Sequence, residues 1–158
     1  MLVSLLVLAA CGPEPGLAPR SGLYQFEVVM LENTCGPLFD DGAAGERQID
    51  VVDDTITAPM TEVLSYDEPT CEGCVPPTAW KQWVTRRDPD VGLYVAADER
   101  APESGCVRDS VELEVLDERT LQAVITTEVS RDGECPWKAA TVADCVVTRE
   151  YTYTRVEG

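Results

Sequence analysis

From Gly22 onward the apolar residues of this chain keep a period of two, and that period removes most folds from consideration. Tyr24, Phe26, Val28 and Met30 share one parity, with Gln25 and Glu27 between them. Successive side chains of a strand point to opposite faces, so the spacing describes a strand with one buried and one wet face. Later stretches repeat it: Val111, Leu113 and Val115 alternate with Ser110, Glu112 and Glu114, and Leu121, Ala123, Ile125, Thr127 and Val129 share a face. At the end of the chain, Val147, Tyr151 and Tyr153 alternate with Thr148, Thr152 and Thr154. Shorter strands are expected at 48–52, 55–58, 62–66, 79–86 and 92–97, with turns at Asn33-Thr34-Cys35-Gly36-Pro37, Asp53-Asp54, Asp88-Pro89-Asp90 and Asp117-Glu118-Arg119.

No stretch long enough for a helix carries a 3.6-residue apolar period, so the class is all-β. An antiparallel meander of about eight strands removes both exposed edges by closing into a small barrel. A two-sheet sandwich is the alternative. The inward candidates are bulky, and only Ala123 and Thr127 leave space, so a packed interior is expected, with recognition left to loops. The segment 71–78 leading to Trp80 and Trp83 is the candidate recognition loop; core packing is the plain alternative for each tryptophan.

Before this domain lies a different kind of sequence. The apolar run from Leu2 to Ala10 is shorter than the roughly 20 residues a helix needs to cross a bilayer, and it ends in small residues, as an export signal does. Leu8-Ala9-Ala10-Cys11 resembles the lipobox of bacterial lipoproteins, in which the signal is cut before the cysteine. The resemblance implies a diacylglyceryl thioether on Cys11, a further acyl chain such as palmitate on its amine, and, with Gly12 next, sorting to the outer membrane. Two or three acyl chains, at roughly 0.8 kcal/mol per buried methylene, anchor durably. The expected division is therefore 1–10 signal peptide, 11–21 lipidated cysteine and Pro/Gly-rich tether, and 22–158 a single domain. Extended, the tether reaches roughly 30 Å.

Seven cysteines become six once Cys11 is lipidated: Cys35, Cys71, Cys74, Cys106, Cys135 and Cys145. An even set in an exported chain implies disulfides, among about 15 possible connectivities. Pairing of Cys135 with Cys145, which bracket the approach to the last strand, is preferred. Cys71-Glu72-Gly73-Cys74 invites a redox reading, but that needs a helix after the first thiol, which Val75-Pro76-Pro77 opposes. A zinc reading lacks a second close pair.

Charge and composition narrow the function. The formal net charge is −17, which repels nucleic acid. There is no histidine, so imidazole-based nucleophile systems and most catalytic zinc sites lack their usual parts. The acidic clusters Asp40-Asp41, Asp50 with Asp53-Asp54, and Asp88 with Asp90 sit where turns need them, and they lack a calcium-loop pattern. Gly22-Leu23-Tyr24 resembles the Gly-x-Trp opening of lipocalins, with Tyr in place of Trp, which implies a barrel around a small apolar ligand. The expectation is a lipid-anchored, disulfide-stabilised module on a bacterial envelope surface, binding or structural rather than enzymatic, without a cofactor. Its partners would be the membrane, through the anchor, and a protein or small apolar ligand. A lipocalin-like carrier is the alternative, and a carboxylate-dependent hydrolase the second.

Overall fold

Every alternating stretch forms a strand, and each strand pairs with its neighbour in sequence. The computed structural model describes residues 18–35, 42–63, 78–100, 106–130 and 145–157. These contain β1 (Gly22–Asn33), β2 (Ala44–Val52), β3 (Thr55–Val63), β4 (Thr78–Arg87), β5 (Tyr94–Arg100), β6 (Cys106–Val115), β7 (Thr120–Ser130) and β8 (Cys145–Arg155). All pairings are antiparallel, and β8 returns to β1, so the meander closes as a barrel rather than a sandwich. Among the described residues there is no helix.

The barrel has two unlike ends. At one, the turn end, the chain comes in through Arg20 and Ser21, and short turns join β2 to β3, β4 to β5 and β6 to β7. The acidic residues there act as turn residues. Asp53 takes the left-handed region at φ 50°, which a short polar side chain tolerates better than most. Asp88 Oδ1 accepts from Asp90 N at 2.9 Å, and Asp117 Oδ1 from Arg119 N at 2.7 Å. From the opposite, loop end the chain leaves β1, β3, β5 and β7. The connections there, three of them longer than any turn at the other end, contain 36–41, 64–77, 101–105 and 131–144, which lie outside the described residues, as do Cys11, Cys71, Cys74 and Cys135.

Two expectations need correction. The separate strands at 55–58 and 62–66 are one strand, β3, running through Pro59; residues 64–66 lie outside the described set. Cys145 bonds to Cys35 rather than Cys135. The reason is the closing ladder, which pairs Asn33 with Val147 and is extended by Thr34 N donating to Val146 O at 2.9 Å. That register brings the Cα atoms of Cys35 and Cys145 to 5.0 Å, across 110 residues of chain. Nearness in sequence could not show it, because barrel closure made the pair neighbours. Cys106 is disulfide-bonded as well.

The interior follows the alternation. Tyr24, Phe26, Val28, Val111, Leu113, Leu121, Ala123, Ile125, Tyr151 and Tyr153 are buried in one cluster with Ile56, Met60 and Trp83. Val63, Val107, Val129, Cys145 and Val147 form a second cluster toward the loop end, against which Met30 packs half-buried. Val115 is half-buried at the rim of the first. The barrel is flattened: Cα atoms of β3 come within 8 Å of β7, four strands round the barrel. Beside Thr127 on β7, the interior is filled by Asp109 and Arg149, which its hydroxyl reaches.

Closing a loop of 110 residues corresponds to roughly 4 to 5 kcal/mol of denatured-state entropy in the chain-entropy account. Replacing both Cys35 and Cys145 with Ser is expected to lower unfolding free energy by about 2–5 kcal/mol in urea titrations. The far-UV spectrum should remain that of a β protein.

Candidate functional site

The ladder weakens at two places, and both flank the β3–β4 hairpin. Among the described residues, β2 and β3 pair only at Asp50↔Thr57, Val51↔Ile56 and Val52↔Thr55. Pro59 explains why pairing stops. In an antiparallel strand the N–H and C=O of a residue point to the same side, and those of Thr61 point away from β4. Pro59 shares that parity, so its missing N–H falls on the side where β2 would pair. Its pairing with Gln82 of β4 loses nothing.

Side chains from β8 take over where the ladder stops. Tyr153 OH donates to Pro59 O at 2.6 Å, and Tyr151 OH accepts from Thr61 N at 3.1 Å while lying 2.7 Å from Thr61 Oγ1. Arg149 donates through Nη1 to Thr61 Oγ1 at 2.5 Å and through Nη2 to Thr61 O at 3.0 Å. Burial, followed by the neighbouring Tyr151, pushes the Tyr153 phenol well above its ordinary pKa, so it stays protonated and donates. Arg47 of β2, on the same parity as buried Ile49, lies 4.5 Å over the Trp80 ring and 5.2 Å over Phe26, a cation–π bridge across the gap. Phe26 reaches this position because Gly45, its cross-strand partner, carries no side chain; a Cβ there would stand 3.2 Å from the ring.

The second weak line lies between β4 and β5, paired only at Arg86↔Val95 and Arg87↔Tyr94. Ion pairs hold its other half. Lys81 Nζ lies 2.5 Å from Asp98 Oδ2 and 3.3 Å from Glu62 Oε2, and Arg100 Nη1 lies 2.9 Å from the same Glu62 oxygen. Arg100 Nη2 also donates to Asp109, which accepts from Thr127 Oγ1 at 2.5 Å. Asp98 and Asp109 stand directly opposite on neighbouring strands, an arrangement of like charges that Arg100 neutralises from between them. Arg149 Nη2 reaches Thr127 Oγ1 at 3.4 Å, so a polar layer runs through the interior between the two apolar clusters.

These groups feel different surroundings. Burial raises the Asp109 carboxyl above its ordinary pKa, partly offset by the Thr127 hydrogen bond and the charges of Arg100 and Arg149. The Lys81 hydrogen bond lowers Asp98. Lys81 loses hydration on burial, yet its hydrogen bond to Asp98 and the charge of Glu62 raise it overall. Arg149, Lys81 and Arg100 thus balance Glu62, Asp98 and Asp109. Lys81 Nζ also lies 4.2 Å over the ring of Trp83, whose Nε1 is buried without a hydrogen-bond partner.

Trp80 and Trp83 both sit on β4. Trp83 is 3% exposed and belongs to the core; Trp80 is 41% exposed and stacks edge-on with Phe26 and Tyr151. The remaining segment of the candidate recognition loop, 71–77, lies outside the described residues. Asp109 and Arg149, both fully buried, were not singled out from the sequence, although each occupies the inward parity of an otherwise apolar strand. An inward charge in a clean alternation is the signal that finds them. No protein family, curated protein or solved structure matches this chain.

Tyr153→Phe leaves Pro59 O buried without its donor, and a loss of about 1–3 kcal/mol is expected by chemical denaturation. Asp98→Asn tests the opposite flank. Because the folded pKa of Asp98 is depressed, its stabilisation is present above the ordinary carboxylate range and is lost as pH falls through that range and below. The pair is about one-third exposed, so the variant should cost no more than about 1 kcal/mol near neutral pH. The difference from the wild type should vanish in acid.

Proposed function

We propose that this chain is an exported, lipid-anchored barrel that works as a binding or structural module on a bacterial envelope surface, presenting its loop end outward. One observation carries the reading: the chain reaches the barrel at Arg20 and Ser21, on the turn end, while the three longest connections between strands leave from the other end. A tether from Cys11 would place the turn end toward the lipid. Strands of about ten residues, tilted as in small barrels, would hold the loop end roughly 25 Å farther out. The Cys35–Cys145 disulfide, at the loop end, suits an oxidising compartment. The charge of −17 suits a soluble, non-nucleic-acid-binding surface.

The carrier reading has less support, because Phe26, Met60, Tyr151, Tyr153 and Arg149 occupy the described interior and β3 presses toward β7. A carboxylate-dependent hydrolase has less still. Such chemistry needs a reachable acid and base, whereas Asp109 is fully buried and Glu62 and Asp98 are held in ion pairs with Lys81.

Mass spectrometry of the membrane-extracted protein should find a diacylglyceryl-modified cysteine at position 11 as the new N-terminus. Cys11→Ser should abolish the modification and move the protein out of the detergent phase. Wild-type protein without acyl mass, or a variant that stays membrane-bound, overturns the anchoring.

A further inference from the structure

Each turn at the turn end exposes one apolar side chain: Val52 beside Asp53-Asp54, Val91 in the 88–93 turn, and Leu116 beside Asp117. Val52 and Val91, at 65% and 63%, are the most exposed large apolar residues among those described. Leu23 and Val156, also exposed, complete the rim where Val156 N donates to Leu23 O at 2.9 Å. Single exposed apolar residues need no explanation, but these stand wherever the chain passes this end of the barrel. Beside them lies a pocket of about 380 Å³, lined by Arg20, Arg119 and Arg155 with Glu118, Val156 and Glu157. The closing strands build it. Arg155 N donates to Arg119 O at 2.8 Å, and Tyr24, which pairs with Arg155 across the ladder, donates its phenol to Arg20 O at 2.7 Å. Arg155 carries the inward parity of Tyr151 and Tyr153 to the barrel mouth and lies across Gly22, where a Cβ would stand 3.2 Å from its Nε.

Arg119 pairs with Glu157 at 2.7 Å, an exposed and therefore weak ion pair. Arg20 and Arg155 have no carboxylate partner among the described residues, although the chain holds 29 acidic side chains against 12 basic ones. Two guanidiniums left over in so acidic a chain, beside an apolar rim, call for an anion from outside. We infer that the turn end is a phospholipid-docking face: the apolar rim settles into the headgroup region of a zwitterionic bilayer, and Arg20 and Arg155 take a lipid phosphate. This docking rests on the lipid anchor proposed above and goes beyond it, since a tether alone leaves the barrel standing off in any orientation. A guanidinium fork matches phosphate oxygens, and exposed apolar tips gain by leaving water at the interface. The lipid is zwitterionic because the rim bears both signs. Arg86 and Arg87 end β4 there, while exposed Asp53, Asp54, Asp90 and Glu118, with the net charge of −17, repel an anionic surface. Those carboxylates are attracted by the ammonium of phosphatidylethanolamine as the arginines are by its phosphate.

The full-length lipidated protein, reconstituted in phosphatidylethanolamine–phosphatidylcholine vesicles with brominated acyl chains, tests this through a tryptophan added at either end. The emission added by Val91→Trp, on the rim, is expected to fall by roughly half or more, because apolar groups at such a surface sit about 5–10 Å into the headgroup boundary. Leu31→Trp, exposed on β1 toward the loop end, should keep its emission. Combined with Val91→Trp, the pair Arg20→Gln and Arg155→Gln should relieve most of the quenching while the protein stays with the vesicles and keeps its urea midpoint. Val52→Ser, at a fully solvated position, should relieve part of it without touching the arginines. Exchanging phosphatidylethanolamine for phosphatidylglycerol should also relieve it. No quenching of Val91→Trp in vesicle-bound protein, or equal quenching at both ends, overturns the docking face. Quenching that ignores the arginine pair overturns the phosphate site, and stronger quenching on phosphatidylglycerol overturns the zwitterionic partner. Acyl mass is measured separately, so failure of the anchor and failure of docking are read apart. In a chain without acyl groups the same quenching is followed as lipid is added, and its absence up to saturating lipid overturns the face.

Discussion

The absent N–H of Pro59 is the constraint around which this barrel is arranged. A closed sheet needs an unbroken ring of ladders, and one residue without a donor, on the side facing β2, stops pairing beyond Thr57. The barrel stays closed because side chains substitute for backbone. Tyr151, Tyr153 and Arg149 reach across from β8 and supply the donors and acceptors that β2 does not. Such reach is available only because the barrel is flattened, with β3 close to the strands opposite it. The seam, the flattened section and the filled interior are therefore one feature seen three ways.

The polar layer has a mixed energetic character. Removing charges from water is costly, and mutual attraction repays the cost only with good geometry and complete hydrogen bonding. Here three cations meet three carboxylates across β3, β4, β5, β6 and β8, with Thr61 and Thr127 adding hydrogen bonds, although Arg100 Nε is buried without a hydrogen bond. A layer of this sort adds little net stability compared with an apolar one. Its effect is geometric: the ion pairs tie β3, β4 and β5 together where the β4–β5 ladder does not run.

The two ends of the barrel are built differently. The turn end is compact, built from turns around Asp53, Asp88 and Asp117, and it receives the chain through Arg20 and Ser21. The loop end carries the Cys35–Cys145 disulfide and, beneath it, the polar layer.

By itself the sequence determined the strand content, the inward faces and the turns, because a period of two and the Asp-rich turns are local properties of the chain. Tyr24, Phe26, Val111, Leu113, Leu121 and Ile125 are buried where alternation put them. It also marked Cys35 and Cys145 as disulfide partners in an even set, without saying to whom each belonged. Only tertiary structure decided that pairing, since residues 110 positions apart meet when β8 closes on β1. It likewise decided the seam. Pro59 announces that one side of a strand lacks a donor, but whether that side meets solvent, a neighbour or a tyrosine from across the barrel depends on closure. Asp109 and Arg149 show the same division: their inward parity is written in the chain, and their neutralisation comes from Arg100, Thr61 and Thr127, which the fold alone brings together.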